Sequence, residues 1–269
     1  MSNNIFHLGG KTAIVTGATG LLGKEHCKAL ASAGANVVVL DLDDAKCNDF
    51  ATTLPTKSIG ISADITNLES VKNARDRILN EFGSIDILVN NAAINDMVEN
   101  PISMLESSKF ENYPLELFRK VMDVNVTGTF LCTQIFGQEM LKQNQGSIIN
   151  IASTYGLVGP DQSLYIDENG NQQFYKSPVY PTSKGAIIAF TRFLAAYWGE
   201  KGIRVNSLTP GGVENNQSKI FIKKYSERTP LKRMAQSNDY WGAIIYLASD
   251  ASKYVTGTNI VVDGGWTIW

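Results

Sequence analysis

The sequence predicts an α/β fold in which one doubly wound, parallel sheet of seven strands carries helices on both faces. Two observations lead to this prediction. Short β-rich runs alternate with longer amphipathic stretches over nearly the whole chain, which is typical of strand–helix–strand units in a parallel sheet. Most of the runs are apolar without interruption, which indicates strands that are buried on both faces.

Seven short runs are the predicted strands, and most are rich in β-branched residues. They cover Thr12–Thr16, Asn36–Leu40, Ser58–Ile61, Ile85–Val89, Ser147–Ile151, Arg204–Leu208 and Asn259–Val262. Six amphipathic stretches are predicted to be helices, at 21–33, 43–53, 67–82, 114–142, 179–199 and 237–249. Glycines are expected to end several helices, because glycine adopts the left-handed backbone conformation at little cost. These are Gly34, Gly83, Gly146 and Gly202.

Two stretches interrupt this pattern with polar and turn-forming residues, at 94–113 and 156–178. Loops of this length in a compact domain are usually either functional or disordered, and we expect both to cover a substrate site. No repeat, low-complexity tract or linker divides the 269 residues, of which 43% are hydrophobic. Because this content suffices for one full core, residues 1–269 are predicted to form a single domain.

The charge balance argues against several classes of partner. Lys and Arg number 24 against 26 Asp and Glu, whereas proteins that bind nucleic acids or anionic membranes usually carry a basic excess. No stretch approaches the roughly 18 uninterrupted apolar residues of a membrane span. The first residues also lack the basic and apolar regions of a secretion signal. We expect a cytoplasmic protein with a small-molecule substrate and no nucleic-acid or membrane partner.

The cysteines and histidines do not indicate a thiol or metal site. Cys27, Cys47 and Cys132 cannot all pair and lie far apart, which suits small buried side chains in a reducing compartment. His7 and His26 have no partner at ligand spacing. We expect no metal.

A glycine-rich turn follows the first strand and opens the first helix, with Gly17, Gly20 and Gly23 as its glycines. Such glycines allow a tight turn and let backbone N–H groups approach a pyrophosphate, at which the positive end of the helix points. An ordinary strand–helix turn can show the same spacing. If the turn binds a dinucleotide, the expected contacts are Gly17, Thr19, Gly20, Leu22 and Gly23.

An acidic residue strengthens the dinucleotide interpretation. Asp41 closes the second strand eighteen residues after Gly23, where a carboxylate can accept hydrogen bonds from the adenosine ribose hydroxyls. The same carboxylate would repel a 2′-phosphate, and no Arg or Lys flanks it before Lys46. The sequence therefore favours NAD over NADP.

Residues after the third and fourth strands are expected to contact the same cofactor. Asp64 and Ile65 follow the third strand, and Asn90 begins the run Asn-Asn-Ala-Ala after the fourth. Open α/β sheets bind ligands at the carboxyl ends of their strands. A close-packed turn is the alternative interpretation of these small residues.

Tyr180 and Lys184 lie four residues apart at the start of an apolar helix, and side chains at this spacing share a face. A free tyrosine is a poor acid or base at neutral pH. A neighbouring ammonium group favours the phenolate and brings the pKa toward the working range. Taken alone, the pair is also compatible with a surface tyrosine beside a lysine.

Together these motifs resemble the classical short-chain dehydrogenase/reductase family. The resemblance covers nearly the whole chain, and the motifs are specific in their order and spacing. They comprise Thr16-Gly17…Gly23, Asp41, Asp64, Asn90-Asn91-Ala92, Asn125, Ser153, Tyr180-x-x-x-Lys184 and Pro210-Gly211. The resemblance implies a Rossmann fold, and pairing of the long helices at 114–142 and 179–199 into a homotetramer or homodimer.

The resemblance also implies the catalytic roles. Tyr180 would be the general acid/base that moves the hydroxyl proton, and Ser153 would hydrogen-bond the substrate oxygen. Lys184 would bind the nicotinamide ribose and lower the pKa of Tyr180. Asn125 would hold a water that extends the proton relay. The backbone near Val213 would meet the nicotinamide carboxamide.

Two residues and one spacing depart from the family pattern. Leu21 stands where the classical glycine pattern has glycine, and Asn215 stands where threonine is frequent. Ser153 and Tyr180 are separated by 27 positions, about twice the usual gap in the family. The extra residues between them are expected to overhang the substrate.

The sequence of this insertion suggests its shape and its ligand. Asn169-Gly170 is a turn signal between 164–166 and 174–175, so we expect a small hairpin. Aromatic residues among amides and carboxylates suit a polyhydroxylated ligand. A surface hairpin or a subunit contact is the alternative.

The chain ends with Trp266 and Trp269 after the last strand. A free terminus normally frays, so these tryptophans are expected to pack on a neighbouring subunit or at its active-site mouth. The insertion, the turn at 210–212 and this ending are similar to short-chain enzymes associated with bacterial surface-sugar and flagellin glycosylation.

The leading hypothesis is an NAD-dependent oxidoreductase that interconverts a secondary alcohol and a ketone, with a sugar or sugar derivative as substrate. A 3-oxoacyl-thioester reductase is an alternative, which predicts NADPH and an apolar acyl channel. An NAD-binding protein without catalysis is another. The glycine spacing also leaves open a dehydratase or epimerase that retains its cofactor.

Overall fold

The computed structural model describes residues 4–96 and 105–269. Seven parallel strands form one sheet in the order β3-β2-β1-β4-β5-β6-β7. The strands are β1 Thr12–Thr16, β2 Asn36–Asp41, β3 Ser58–Ser62, β4 Ile87–Asn90, β5 Gly146–Ile151, β6 Ile203–Pro210 and β7 Asn259–Val262. The predicted doubly wound sheet is confirmed, and each predicted strand is found within about two residues of its place.

Helices cover both faces of this sheet. Those of two turns or more are α1 Leu21–Ser32, α2 Asp44–Ala51, α3 Leu68–Phe82, α4 Leu115–Met122, α5 Thr129–Gln143, α6 Val179–Trp198, α7 Lys219–Arg228 and α8 Trp241–Ala248. A π-helical segment, Asp123–Gly128, joins α4 to α5 within the predicted helix 114–142. The sequence did not predict α7. Of the predicted loop 94–113, residues 97–104 lie outside the described residues.

Alternate residues of the central strands face opposite sides of the sheet, as the pleat requires. Ile14, Val38 and Leu88 pack against α3, α5 and α6. Their neighbours Val15 and Val39 pack against α1 and α8. Burial on both faces explains why the strand sequences are continuously apolar. The edge strand β7 is more open, since its Val261 is 40% exposed.

Of the glycines that were predicted to end helices, Gly83 does so and Gly146 does not. Gly83 ends α3 with φ 78°, as predicted. Gly146 does not end α5, because the left-handed position there is taken by Asn144 with φ 51°. Asparagine tolerates this conformation better than most residues, and Gly146 instead begins β5.

The strand order places a ligand crevice at the centre of the sheet. β1 pairs with β2 on one side and with β4 on the other, so the chain changes direction at this point. Open α/β sheets bind ligands at the carboxyl ends of the strands beside such a switch. In the part of the chain that the structure describes, no helix is long and apolar enough to cross a membrane.

The three cysteines are free and buried. Burial raises the pKa of Cys27 and Cys132, and it raises the pKa of Cys47 to about 11. Their thiolates are therefore scarce at neutral pH. Within 4–96 and 105–269, His, Cys, Asp and Glu form no group of three or more that could hold a metal ion.

Candidate active site

A cleft of about 790 Å³ opens at the carboxyl ends of the central strands. Its floor carries Ser153, Tyr180 and Lys184, and Leu22 and Val213 also line it. The sequence places these five residues on four separate segments. The structure thus brings three of the four predicted proton-relay residues, all but Asn125, into one cavity with two predicted cofactor contacts.

Tyr180 and Lys184 lie on the first two turns of α6. The Lys184 Nζ atom lies 5.7 Å from the centroid of the Tyr180 ring and donates a 2.7 Å hydrogen bond to the Ile151 carbonyl oxygen. Burial lowers the pKa of Lys184 from 10.5 to about 8. An ammonium group in this place favours the phenolate form of Tyr180.

Ser153 follows β5 and is 8% exposed. Its Oγ accepts a 3.2 Å hydrogen bond from the Tyr155 backbone N–H. The turn after it packs directly on α6, because a Cβ on Gly156 would lie 2.8 Å from the Lys184 carbonyl carbon. A glycine at 156 therefore allows the serine turn to approach the Tyr180–Lys184 helix closely.

Asn125 lies in the π-helical segment, a distortion that often marks functional sites. Its Oδ1 accepts from the Ile94 N–H at 2.7 Å. Its Nδ2 donates to the Ile94 carbonyl at 3.1 Å and to Ser183 Oγ at 3.0 Å. The Ser183 hydroxyl in turn donates to the Tyr180 carbonyl at 2.8 Å. Asn125 thus braces the residue before Lys184, while its predicted water contact stays a prediction.

The glycine-rich turn has the shape that a pyrophosphate requires. Gly17 has φ +61°, and a Cβ on Gly23 would lie 2.1 Å from the Gly17 carbonyl oxygen. Gly20 occupies the N-cap position of α1 and offers no side-chain cap, whereas Asp43 and Asn67 cap α2 and α3. The first-turn N–H groups of α1 are therefore available to an anion, and the turn fits a dinucleotide.

Asp41 lies beside this turn at the end of β2. Its Oδ2 accepts hydrogen bonds from the Thr19 N–H at 2.9 Å and the Thr19 hydroxyl at 2.6 Å. The nearest downstream cation in the sequence, Lys46, pairs with Asp43 at 3.0 Å. The structure therefore brings together Thr19 and Asp41, two of the predicted cofactor residues.

Asn90, another predicted cofactor residue, turns its side chain away from the cleft. Asn90 is 5% exposed, and its Nδ2 donates to Thr133 Oγ1 at 2.9 Å and Asn150 Oδ1 at 2.8 Å. Its side chain therefore points into the core. Its neighbour Asn91 lines the cleft and donates to the Thr16 and Gly17 carbonyls, each at 3.0 Å. Asn91 is the residue that braces the glycine turn.

Asp64 and Ile65 lie at the end of β3 and outside the cleft wall. Asp64 Oδ1 accepts from the Thr66 N–H at 2.9 Å and its hydroxyl at 2.7 Å. Ile65 is buried, and its Cδ1 atom would lie 2.6 Å from a Cβ on Gly128. Their cofactor contacts stay predictions.

The segment around Val213 is held from both sides. Val213 pairs with Ala235 in an isolated parallel bridge. The Gly212 N–H donates to the Tyr225 hydroxyl oxygen at 2.6 Å, and a Cβ on Gly212 would lie 2.6 Å from the Tyr225 ring. A buried tyrosine of α7 therefore fixes the backbone that is predicted to meet the nicotinamide.

The insertion forms the expected hairpin, which we call the lid hairpin (residues 161–174). Ile166 and Gln172 form an antiparallel bridge, and Gly170 takes a left-handed conformation with φ +83°. The hairpin is attached to α7, because Lys224 Nζ donates to the Ile166 carbonyl at 2.6 Å and the Ser163 carbonyl at 3.3 Å. Thus two segments that are distant in sequence form one wall of the cleft.

Arg228 adds a second attachment between α7 and the lid hairpin. It forms an ion pair with Asp161 and donates to Ser163 Oγ at 3.0 Å. Asp161 itself accepts from the Ser163 N–H at 2.9 Å. Helix α7 therefore holds the hairpin at its first residues, Asp161 and Ser163, and at the bridge residue Ile166.

Aromatic side chains fill the contact between the lid hairpin, α7 and the chain end. Tyr165 lies 5.6 Å from Phe221, and Trp266 stacks on Tyr225 with ring centroids 5.4 Å apart. Trp269 is 76% exposed, and its Nε1 donates to the Arg228 carbonyl at 3.1 Å. The ring of Trp266 contacts Tyr155 and Tyr225 of its own chain, and the packing of both tryptophans on a neighbouring subunit stays a prediction.

One cleft residue was missed in the sequence. Lys176 is 5% exposed, and its Nζ lies 4.9 Å from the Tyr180 ring centroid and contacts Asn95 Oδ1. Both Lys176 and Asn95 line the cleft. No local signal in the sequence could have found it, because Lys176 lies before the start of α6 at Val179 and the four-residue spacing of helix faces does not apply there.

Comparison with known proteins shows which proteins the chain is similar to. A family model described as enoyl-(acyl carrier protein) reductase matches residues 17–267. A galactitol 2-dehydrogenase (L-tagatose-forming) of Cereibacter sphaeroides is 33% identical over 98% of both chains. An NAD-dependent glycerol dehydrogenase of Listeria innocua is 30% identical over 98% of this chain and 96% of its own.

A solved structure has the same architecture. The gluconate 5-dehydrogenase of Burkholderia cenocepacia, in complex with NADP and tartrate, superposes with a TM-score of 0.85 at 28% identity. The match covers 99% of this chain and 98% of that one.

The chain belongs to the classical short-chain dehydrogenase/reductase family. It is therefore an oxidoreductase of a family that uses nicotinamide cofactors and small-molecule substrates.

Proposed function

We propose that the protein is an NAD-dependent dehydrogenase/reductase that interconverts a secondary alcohol and a ketone on a sugar or sugar derivative. The observation that carries the proposal is the convergence of Ser153, Tyr180 and Lys184 on one cleft, one wall of which is the lid hairpin. Polyol and sugar-acid dehydrogenases among the relatives support the substrate class.

The proton chemistry belongs to the chain's own residues. Tyr180, as the phenolate, takes the proton of the substrate hydroxyl during oxidation and returns it during reduction. The Ser153 hydroxyl orients the substrate oxygen, and the Lys184 ammonium stabilises the phenolate. Asn125 would hold the water that passes the proton onward. The nicotinamide, when bound, supplies the hydride acceptor or donor.

Because the shape of the glycine turn suits a pyrophosphate, the residues that would hold a dinucleotide can be assigned around it. The N–H groups at the start of α1 would bind the pyrophosphate, and Asp41 would bind the adenosine ribose. NAD is proposed because a carboxylate repels a 2′-phosphate, and because Lys46 is paired with Asp43. Lys184 and the backbone at Val213 would position the nicotinamide end, while Asp64, Ile65 and the Asn90 backbone would complete the site.

The walls of the cleft carry groups that suit a polyhydroxylated substrate. The lid side contributes Asn169 and Gln173, and the segment after β6 contributes Asn215 and Gln217. Amides of this kind hydrogen-bond hydroxyl groups while aromatic rings contact the carbon skeleton. Leu164, Ile166, Phe174 and Phe221 line the same cleft and would also suit an acyl chain. A 3-oxoacyl-(acyl-carrier-protein) reductase of Aquifex aeolicus, 32% identical over 96% of this chain, keeps 3-oxoacyl-thioester reduction as the second candidate.

We further propose a homotetramer or homodimer, with one domain per chain. Phe130 of α5 is 44% exposed, and Phe193 and Tyr197 of α6 are 61% and 68% exposed. The last two rings stack with centroids 5.7 Å apart. An exposed apolar surface on two long helices is typical of a subunit interface. Light scattering during size exclusion tests this, and a clean monomer would overturn it.

The three buried free thiols suit a reducing compartment, and we place the enzyme in the cytoplasm. The test of the proposed function is a spectrophotometric screen at the NADH absorbance band, in both directions, over alditols, aldonates, sugar phosphates and acyl thioesters. Turnover of a sugar-derived alcohol with NAD supports the proposal. Turnover confined to acyl thioesters with NADPH would replace it with the second candidate.

A further inference from the structure

Gln217 stands out because its side chain closes the turn that follows β6 (residues 213–217) upon itself. Its Nε2 donates to the Val213 carbonyl oxygen at 2.8 Å, and its Oε1 accepts from the Asn215 backbone N–H at 2.6 Å. All three residues line the cleft. The proton relay does not use Gln217, so these two contacts need another explanation.

The backbone of Val213 presents its polar groups away from the neighbouring segment. The Ala235 N–H donates to the Gly212 carbonyl, and the Glu214 N–H donates to the Ala235 carbonyl, both at 2.9 Å. In a parallel bridge of this kind the residue between the two contacts directs its own N–H and carbonyl to the other side. The Val213 carbonyl is therefore held by the Gln217 side chain and not by the bridge.

The turn also contains a residue in an unfavourable conformation. Asn216 is left-handed with φ 59°, which costs free energy for any residue with a Cβ, although less for asparagine than for most. The two hydrogen bonds of Gln217 span this residue, with one partner on each side of Glu214. The Gln217 amide thus fixes the course of the turn from Val213 onward.

A primary carboxamide, such as that of nicotinamide, offers two N–H donors and a carbonyl acceptor. The N–H and carbonyl of a single backbone residue are complementary to these groups. Because hydrogen bonds are directional, the backbone residue orients the ring only if its carbonyl keeps one direction. A carbonyl oxygen has two lone pairs, so Gln217 can hold the Val213 oxygen and leave a second position for the carboxamide.

We infer that Gln217 is a positioning residue for the nicotinamide, and that it acts by fixing the Val213 carbonyl to which the carboxamide binds. The inference rests on the proposed function, in which the backbone at Val213 meets the nicotinamide. Gln217 acts on the nicotinamide half of the cofactor alone, since the glycine turn and Asp41 would hold the ADP-ribose half.

The test compares two ligands that share the ADP-ribose half, NADH and ADP-ribose itself. Calorimetry measures both dissociation constants for wild type, Gln217→Met and Gln217→Glu, and the melting temperature confirms that each variant is folded. Gln217→Met removes both contacts at similar volume. Gln217→Glu keeps an acceptor for the Asn215 N–H and removes the donor to the Val213 carbonyl. Glu214→Gln is the control, because this exposed side chain lies in the same turn.

The measured quantity is the ratio of the ADP-ribose dissociation constant to that of NADH. The charge added in Gln217→Glu acts on both ligands alike and leaves this ratio unaffected. We expect the wild type to bind NADH more tightly than ADP-ribose, and the ratio to fall about 5- to 10-fold in both Gln217 variants. In Gln217→Met the affinity for ADP-ribose should change less than about twofold, and Glu214→Gln should keep the wild-type ratio.

Three results would overturn the inference. Equal losses for the two ligands in Gln217→Met would show that the residue only supports the fold of the turn. A wild-type ratio in Gln217→Glu would assign the effect to the Asn215 contact. A wild type that binds NADH no more tightly than ADP-ribose would show that the nicotinamide is not held at Val213.

The outcome is independent of the substrate screen. If the screen finds no turnover, yet the ratio falls in both Gln217 variants, the proposed function fails and the inference stands. If the screen finds a reaction that depends on NADPH, the matched ligands are NADPH and 2′-phospho-ADP-ribose, and the same fall in their ratio is expected.

Discussion

The Lys184 ammonium donates a hydrogen bond to the Ile151 carbonyl oxygen at 2.7 Å, which anchors the lysine of α6 to the end of β5 while its charge stays beside Tyr180. The anchor links two elements, because β5 also leads into Ser153. Any movement of this strand end would therefore move the serine and the lysine together.

Burial of Lys184 predicts a pH-dependent stability. Its folded-state pKa is lowered from 10.5 to about 8, so between these values the unfolded chain binds more protons, and the free energy of unfolding rises with pH. Lys184→Met lacks this rise. We expect its stability relative to the wild type to fall by up to about 3 kcal/mol between pH 7 and pH 10.

Urea unfolding at several pH values measures this difference. The exposed Lys253 provides the control, since Lys253→Met should parallel the wild type. If the free energies of unfolding of Lys184→Met and the wild type differ by the same amount at every pH, the lowered pKa of Lys184 is not the cause.

The glycine turn predicts a contrast between two neighbouring substitutions. A Cβ on Gly23 would lie 2.1 Å from the Gly17 carbonyl oxygen, whereas on Gly20 the nearest atom is 3.3 Å away. Gly23→Ala is expected to lose about 2–3 kcal/mol of stability and at least tenfold in NADH affinity, because the turn must shift. Gly20→Ala should keep its stability within about 0.5 kcal/mol. Denaturation measures the stability of the two variants, and fluorescence titration measures their NADH affinity. Equal losses in Gly23→Ala and Gly20→Ala would show that the close contact at Gly23 does not constrain the turn.

Asp41 predicts the cofactor preference. Asp41→Asn keeps an oxygen for Thr19, whose N–H and hydroxyl it accepts, and removes the charge that repels a 2′-phosphate. We expect the ratio of kcat/KM for NADP to that for NAD to rise about 10- to 100-fold. Asp44→Asn, an exposed acid nearby, should leave the ratio unchanged. A wild type that prefers NADP would contradict the role given to Asp41.

The attachment of the lid hairpin to α7 predicts a local change in dynamics. Lys224→Met removes the hydrogen bonds to the Ile166 and Ser163 carbonyls, so amide exchange in 161–174 should accelerate about tenfold, while NADH affinity is kept. Lys223→Met is the matched control, because Lys223 is exposed and its ion pair with Glu227 is 3.9 Å long. Unchanged exchange in Lys224→Met would show that aromatic packing alone holds the hairpin.

The parts of the fold that follow a local rule could be predicted from the sequence. Buried strands are continuously apolar, and the glycine turn and the Tyr180–Lys184 pair have fixed spacings. The part that depends on tertiary contacts could not. Helix α7 is short, and its apolar side chains Phe221, Ile222 and Tyr225 pack on residues of the lid hairpin and the chain end that are distant in sequence.

The direction in which individual side chains point could not be predicted from the sequence either. Asn90 and Asn91 are adjacent and chemically identical, yet Asn90 points into the core and Asn91 braces the glycine turn. The strand pleat decides between them, and its phase at the last residue of a strand is uncertain from sequence. Lys176 was missed because only the fold brings its side chain against Tyr180.

The central claim is that Tyr180 carries the proton transfer, and Tyr180→Phe tests it most directly. With the best substrate of the screen, we expect kcat to fall about 10²–10⁴-fold, with NADH affinity within about threefold of wild type. Tyr175→Phe, five residues earlier and outside the cleft lining, should keep wild-type turnover. Wild-type turnover in Tyr180→Phe would contradict the account.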